Sequence, residues 1–227
     1  MARRLNTVNE VAHILCEAVK NVLEASTGSR IYYAPTIQKV PSISLKPDIG
    51  CFVQFSGDYS GLFIMNLSGP AALELYTRSM KFMGLPEEDL HTDYTSDDVV
   101  NCIGEFINQV IGKARSMVEA RYGLNARNNQ PKAITISTAI TLSIATMLDR
   151  PQCRRLSFKT EDNNPFYVEM NLEQVEFIKL DRTGRKDQVN VQDDIDAMMD
   201  SSGPRQCVAA SDGCAADIDA LMAEFGD

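Results

Sequence analysis

The feature that most restricts how this chain can fold is the stretch from Val99 to Val118, whose apolar residues recur at helical spacing. Projected at about 100° per residue, Val99, Val100, Ile103, Phe106, Ile107, Val110, Ile111, Ala114, Met117 and Val118 fall within one broad arc. That arc predicts a helix with one face in a core. Opposite it, within about 40° of a single line, lie Asn101, Glu105, Asn108, Gly112 and Arg115, which are expected to face outward. Thr95 and Asp98 have the spacing of a capping box ahead of it, and Tyr122-Gly123 marks its end. Gly104 and Gly112 each cost such a helix about 0.8 to 1.0 kcal/mol relative to alanine. A surface approaching closely one turn beyond Asn108 would account for Gly112. For Gly104, tight packing on a sheet explains the glycine equally well.

The remaining elements follow from the same kind of reading. Val11, Ile14, Leu15, Ala18, Val19, Val22 and Leu23 predict an amphipathic helix from Asn9 to about Ala25. Beyond an irregular stretch punctuated by Pro35, Pro41 and Pro47, Cys51 to Phe55 and Leu62 to Leu67 read as strands. The turn residues from Ser56 to Gly61 join them into a hairpin; the serine there sits one place too late for a nucleophile elbow. Ser68-Gly69-Pro70 opens a helix that closes near Gly84. Further strands are expected at Ala133 to Ile140, Leu156 to Lys159, Phe166 to Met170 and Val175 to Leu180. The expected fold class is therefore α+β, an antiparallel sheet with long helices packed on it over residues 1–180.

Charge divides the chain. Residues 1–186 carry 21 acidic and 21 basic side chains, whereas residues 187–227 carry 10 acids and only Arg205, which accounts for the formal net charge of -9. A neutral body with an acidic tail lacks the positive field that gathers nucleic acid. The N-terminus has no apolar signal core and no long apolar run follows, so neither secretion nor a membrane span is expected and the reading is cytoplasmic. Cys16, Cys51, Cys102, Cys153, Cys207 and Cys214 form no C-x-x-C pair, and His13 and His91 stand outside any zinc-ligand spacing. No nucleotide-binding glycine motif is present. No cofactor of its own is expected.

The sequence Glu105-Phe106-Ile107-Asn108, followed by 22 residues and then Pro131, resembles the E-x2-N-x22-P pattern of the CheC/CheX chemotaxis phosphatases. A second E-x-x-N, Glu161 to Asn164, has Asp187 where the proline would stand. The likeness spans roughly residues 9–180. CheC proteins can carry another motif on the first helix; here Lys20 follows Glu17 at that spacing, so the one-site CheX-like form fits better. The pattern of this family has Asp or Ser four residues before the glutamate, where this chain has Asn101. The resemblance implies a homodimer that docks onto a phosphorylated CheY-like receiver domain and hydrolyses its aspartyl phosphate. It assigns Glu105 a salt bridge to the receiver's lysine and Asn108 the attacking water, with Asn101 and Gly112 on the docking surface and Mg²⁺ supplied by the receiver. A neutral carboxamide suits that role, because it can both accept from and donate to water without repelling the phosphoryl group. Taken without the resemblance, the same stripe also fits an ordinary solvated helix face. A non-catalytic module that sequesters receivers or attaches to the flagellar switch is the alternative.

Residues 181–227 are rich in Asp, Ser, Gly and Ala and are expected to be mostly disordered. Within them Asp194-Ile195-Asp196-Ala197-Met198-Met199 recurs 23 residues later as Asp217-Ile218-Asp219-Ala220-Leu221-Met222. Each copy is too short to hold a helix without a partner. With Val191-Gln192-Asp193 ahead of it, the first copy resembles the CheY-binding peptide of the flagellar switch protein FliM, S-Q-x-E-I-D-A-L-L. Two copies tethered to a catalytic body imply receiver capture through Asp194, Ile195, Asp196, Met198, Asp217, Ile218, Asp219 and Leu221. An acidic solubilising tail that packs on its own domain is the other reading.

Overall fold

The computed structural model describes residues 7–136 and 140–174, all within one unit, Met1–Asp181. The strand expected from Val175 to Leu180 and both repeated tail segments lie outside the described residues. In chain order the elements are α1 (Thr7–Thr27), β1 (Tyr32–Tyr33), β2 (Gln38–Val40), β3 (Ser44–Leu45), β4 (Ile49–Gly57), β5 (Gly61–Leu67), α2 (Gly69–Phe82), α3 (Asp97–Tyr122), β6 (Ala126–Asn128), β7 (Lys132–Thr135), β8 (Leu142–Ser143), β9 (Gln152–Lys159) and β10 (Pro165–Leu172). The main sheet is antiparallel in the order β1-β9-β10-β5-β4-β6, with β2 also paired to β9 and β7 to β4. The α+β architecture, three helices on an antiparallel sheet, is as the sequence predicts. No helix of the described residues is long and apolar enough to cross a membrane.

Side-chain alternation decides how the layers meet. Along β5, Phe63, Met65 and Leu67 turn toward the helices and join Ile14, Leu15, Leu75, Ile103 and Ile107 in the main core. Leu62 and Ile64 point to the other face, where Ile43, Leu45, Ile136 and Cys153 cover them. Every residue of β5 is consequently buried, which is why Leu62 to Leu67 is nearly continuously apolar. Ile43 and Leu45 of that cluster come from the stretch read as irregular. Its prolines limit it to the short strands β2 and β3, and β3 pairs with β8 in a sheet of two strands.

Polar side chains join the layers where backbone alone cannot. Glu169 is fully buried on β10; its Oε1 takes the Arg155 Nε–H at 2.7 Å and its Oε2 the Ser44 backbone N–H at 2.9 Å. On α2, the buried carboxylate of Glu74 accepts from the Thr160 hydroxyl, from Asn164 Nδ2 at 2.8 Å and from the Asp162 backbone N–H at 3.1 Å. Arg78 Nε lies 3.2 Å from the same carboxylate. That network fastens α2 to the turn between β9 and β10.

The hairpin tip is fixed to the end of α3. Gly57 has φ of +155°, and a Cβ there would lie 2.4 Å from the Asn125 carbonyl oxygen, so the close approach of the two backbones requires glycine. Beside it, the Asp58 N–H donates to the Asn125 carbonyl at 2.8 Å, and the Asn125 N–H donates back to Asp58 Oδ2 at 2.8 Å.

Candidate functional site

Helix α3 buries Val99, Ile103, Phe106, Ile107, Val110, Ile111, Ala114 and Val118, the face that helical period assigns to the core. Its start differs by a residue from the capping-box reading. Asp93 closes a turn, accepting the Thr95 N–H on Oδ1 at 2.9 Å and the Ser96 N–H on its carbonyl at 3.2 Å. Ser96 therefore becomes the N-cap, with no side-chain cap bond, and Asp98 instead meets His91 Nε2 at 2.6 Å. At the other end, Gly123 takes φ of 71° and donates its N–H to the Glu119 carbonyl, a left-handed C-cap.

Asn101, Glu105, Asn108 and Gly112 are all exposed on α3. Glu105 and Asn108 stand three positions apart, a spacing that makes side chains neighbours on a helix surface. The Glu105 carboxylate accepts from Gln109 Nε2 at 3.1 Å, and Gln109 Oε1 in turn receives the Ser26 hydroxyl at 3.4 Å from the last turn of α1. Gln109 thus links Glu105 to α1, a contact the sequence reading missed although its i,i+4 spacing from Glu105 was the available signal. Arg115 is only half-buried rather than outward-facing, because Nη1 donates to Asn128 Oδ1 on β6.

Gly112 has open space where a Cβ would stand, so nothing within the described fold demands glycine there. A Cβ on Gly104 would meet the Ala133 Cβ at an ordinary 3.8 Å, so tight packing does not demand that glycine either. Ala133 belongs to β7, and Pro131 stands immediately before it, between the two short strands β6 and β7 that both pair with β4. Lacking an N–H, the proline suits that break in the ladder and starts the strand beneath the N-terminal half of α3.

The second E-x-x-N has a structural use. Glu161 pairs with Arg78 at 3.4 Å, and Asn164 serves the Glu74 carboxylate in the β9–β10 turn. Burial, reinforced by the Glu105 charge, pushes the Cys102 thiol up to about 12. That keeps the thiol protonated near neutrality. Glu105, Asn108 and Gly112 thus set side by side on the exposed face of α3 a tethered carboxylate, an exposed carboxamide and an unobstructed gap one turn further on.

Solved structures with a similar fold include a chemotaxis protein CheX from Desulfovibrio desulfuricans, 21% identical, TM-score 0.60, covering 72% of this chain and 99% of that one. A chain of the CheX-CheY-BeF3-Mg²⁺ complex from Borrelia burgdorferi is 15% identical, with a TM-score of 0.53 over 72% of this chain and 97% of that one. FliY from Thermotoga maritima is 14% identical, with a TM-score of 0.54 over 73% and 87%. These likenesses establish a CheX/CheC-like fold. No curated protein sequence matches the chain. Residues 2–226 match the family described as "Protein of unknown function (DUF3334)", and the chain belongs to that family.

Proposed function

We propose that this protein docks α3 onto a phosphorylated CheY-like receiver domain and hastens hydrolysis of its aspartyl phosphate. The observation that carries this reading is the exposed Glu105–Asn108 pair, with Gly112 leaving the helix surface clear one turn beyond it. An acyl phosphate with bound Mg²⁺ is already reactive, so acceleration needs a water held in line with phosphorus more than it needs a base. Asn108 would hold that water. Glu105, steadied by Gln109, would anchor the helix to a lysine of the receiver, and the receiver would bring the Mg²⁺. The likeness of the fold to a chain from a CheX-CheY complex supports the choice of partner. A cytoplasmic homodimer is the form in which we expect it to act.

Asn101 favours a second reading, a non-catalytic module that binds receivers or the flagellar switch, because the CheC-type pattern has Asp or Ser at that position. Loss of label from a phosphorylated receiver, followed with and without the protein, separates the two. Acceleration at substoichiometric protein supports the phosphatase; binding without acceleration would leave only the module.

The repeated tail peptides fit the same scheme as receiver-capturing arms, through Asp194, Ile195, Asp196 and Met198 in one copy and Asp217, Ile218, Asp219 and Leu221 in the other. A short flexible tether gives an effective concentration on the order of millimolar. Removing residues 187–227 is expected to raise KM for the phosphorylated receiver severalfold with little change in kcat. Unaltered values of both would reject the capture role.

A further inference from the structure

Beside the Glu105–Asn108 ridge lies a groove of about 660 Å³ between the last turn of α1, α2 and α3. Its apolar lining includes Tyr76, Met80, Phe82, Met83, Leu85 and Phe106. Phe82 and Met83 are 64% and 61% exposed, and Leu85 is 41% exposed. So much apolar surface gathered in one concavity marks an interaction site more than it marks ordinary surface scatter. Phe82 is also held ready. Gly28, with φ of +65°, brings bare backbone against its ring, and a Cβ there would lie 3.0 Å from Cδ2. A pre-positioned aromatic loses little freedom on binding, the usual property of an interface anchor.

The rim is predominantly acidic. From Pro86 to Asp98 the chain carries Glu87, Glu88, Asp89, Asp93, Asp97 and Asp98 with no Lys or Arg. Lys81 offsets Glu87 at 2.9 Å, and His91 faces Asp98. Asp89, Asp98 and Glu105 themselves line the groove. Glu105 therefore belongs both to the ridge and to the groove wall, so a protein seated on the ridge brings its neighbouring element against the groove.

We propose that the groove takes a helix of the receiver that combines an apolar face with lysine or arginine side chains, a second contact beside the phosphorylation pocket; this rests on the receiver-docking reading above. Charge complementarity selects that occupant, since the acidic rim attracts a basic partner. Apolar anchors fill the groove in the usual helix-in-groove manner, and the methionines adapt to their shape.

The test is steady-state hydrolysis of a phosphorylated CheY-like receiver by the full chain at several ionic strengths. Phe82→Ser is expected to raise KM about tenfold at constant kcat, with Phe82→Leu restoring most of the loss. The double variant Glu88→Lys/Asp89→Lys is expected to raise KM severalfold and to flatten its rise with salt. Unchanged KM in both variants, with wild-type turnover intact, would overturn the groove and leave the phosphatase standing. Two further results would also overturn it: a lower KM after deletion of residues 187–227, which would make the tail the occupant, and a change of oligomeric state in Phe82→Ser, which would assign the groove to a second copy. Failure of the wild-type chain to accelerate hydrolysis would remove the phosphatase reading alone, and the affinity of Phe82→Ser for a beryllofluoride-loaded receiver would then decide the groove, unchanged affinity overturning it.

Discussion

Replacing Asn108 by alanine is expected to lower receiver dephosphorylation by on the order of a hundredfold or more, while the affinity for a beryllofluoride-loaded receiver stays within about twofold. The asymmetry follows from the chemistry asked of the side chain. Misplacing a reacting group by about 1 Å costs on the order of a hundredfold in rate, and a water with nothing to hold it is misplaced by more. Asn108 is exposed and caps no element, so its loss leaves the helix intact. Asn108→Asp would add a charge that repels the phosphoryl group and should be at least as inactive. Glu105→Ala should behave differently, weakening both binding and turnover, because the proposed mechanism uses its carboxylate as the anchor. Equal turnover by Asn108→Ala and the unaltered chain, measured by loss of label in a single-turnover experiment, would refute the assignment.

The second large effect concerns stability. Glu74→Leu is expected to destabilise the fold by about 2 to 4 kcal/mol, read from urea denaturation, because one substitution strands several donors at once. The Thr160 hydroxyl, Asn164 Nδ2 and the Asp162 N–H all lose their acceptor, and Arg78 loses one of its three carboxylate partners. Arg78→Ala should cost less, about 1 to 2 kcal/mol, since the buried Glu74 carboxylate keeps its other three donors and the contacts to Glu161 and Asp162 lie at the surface, where water substitutes for them. A Glu74→Leu change within about 0.5 kcal/mol of the parent would show that the network contributes nothing net.

These two residues also show how far the amino-acid sequence could be read. Asn108 and Glu105 were legible because helical period is a local signal: the apolar arc from Val99 to Val118 fixes which side of α3 points outward. Glu74 was not, since the donors that bury it lie 86 to 90 positions away and its local partner, Arg78 at i+4, makes it look like any helix ion pair. The strands of the sheet were readable where one or both faces are buried, as in β4, β5, β9 and β10. The short strands β2, β3 and β8 were not, because two or three residues are too few to show a period. The start of α3 moved because the Asx turn at Asp93 competes with the Thr95–Asp98 pairing. The groove beside Glu105 is built from three separated segments, so it became visible only once the helices were assembled.

The reciprocal backbone and side-chain bonds between Asp58 and Asn125 carry a practical consequence for engineering. A hairpin tip is ordinarily the first place to splice in a tag or a reporter. In this protein the tip is hooked to the chain leaving α3, so an insertion between Asp58 and Ser60 would pull on the very helix whose orientation matters. Reporters belong instead near Met147, whose side chain is fully solvent-exposed and far along the sequence from that hook.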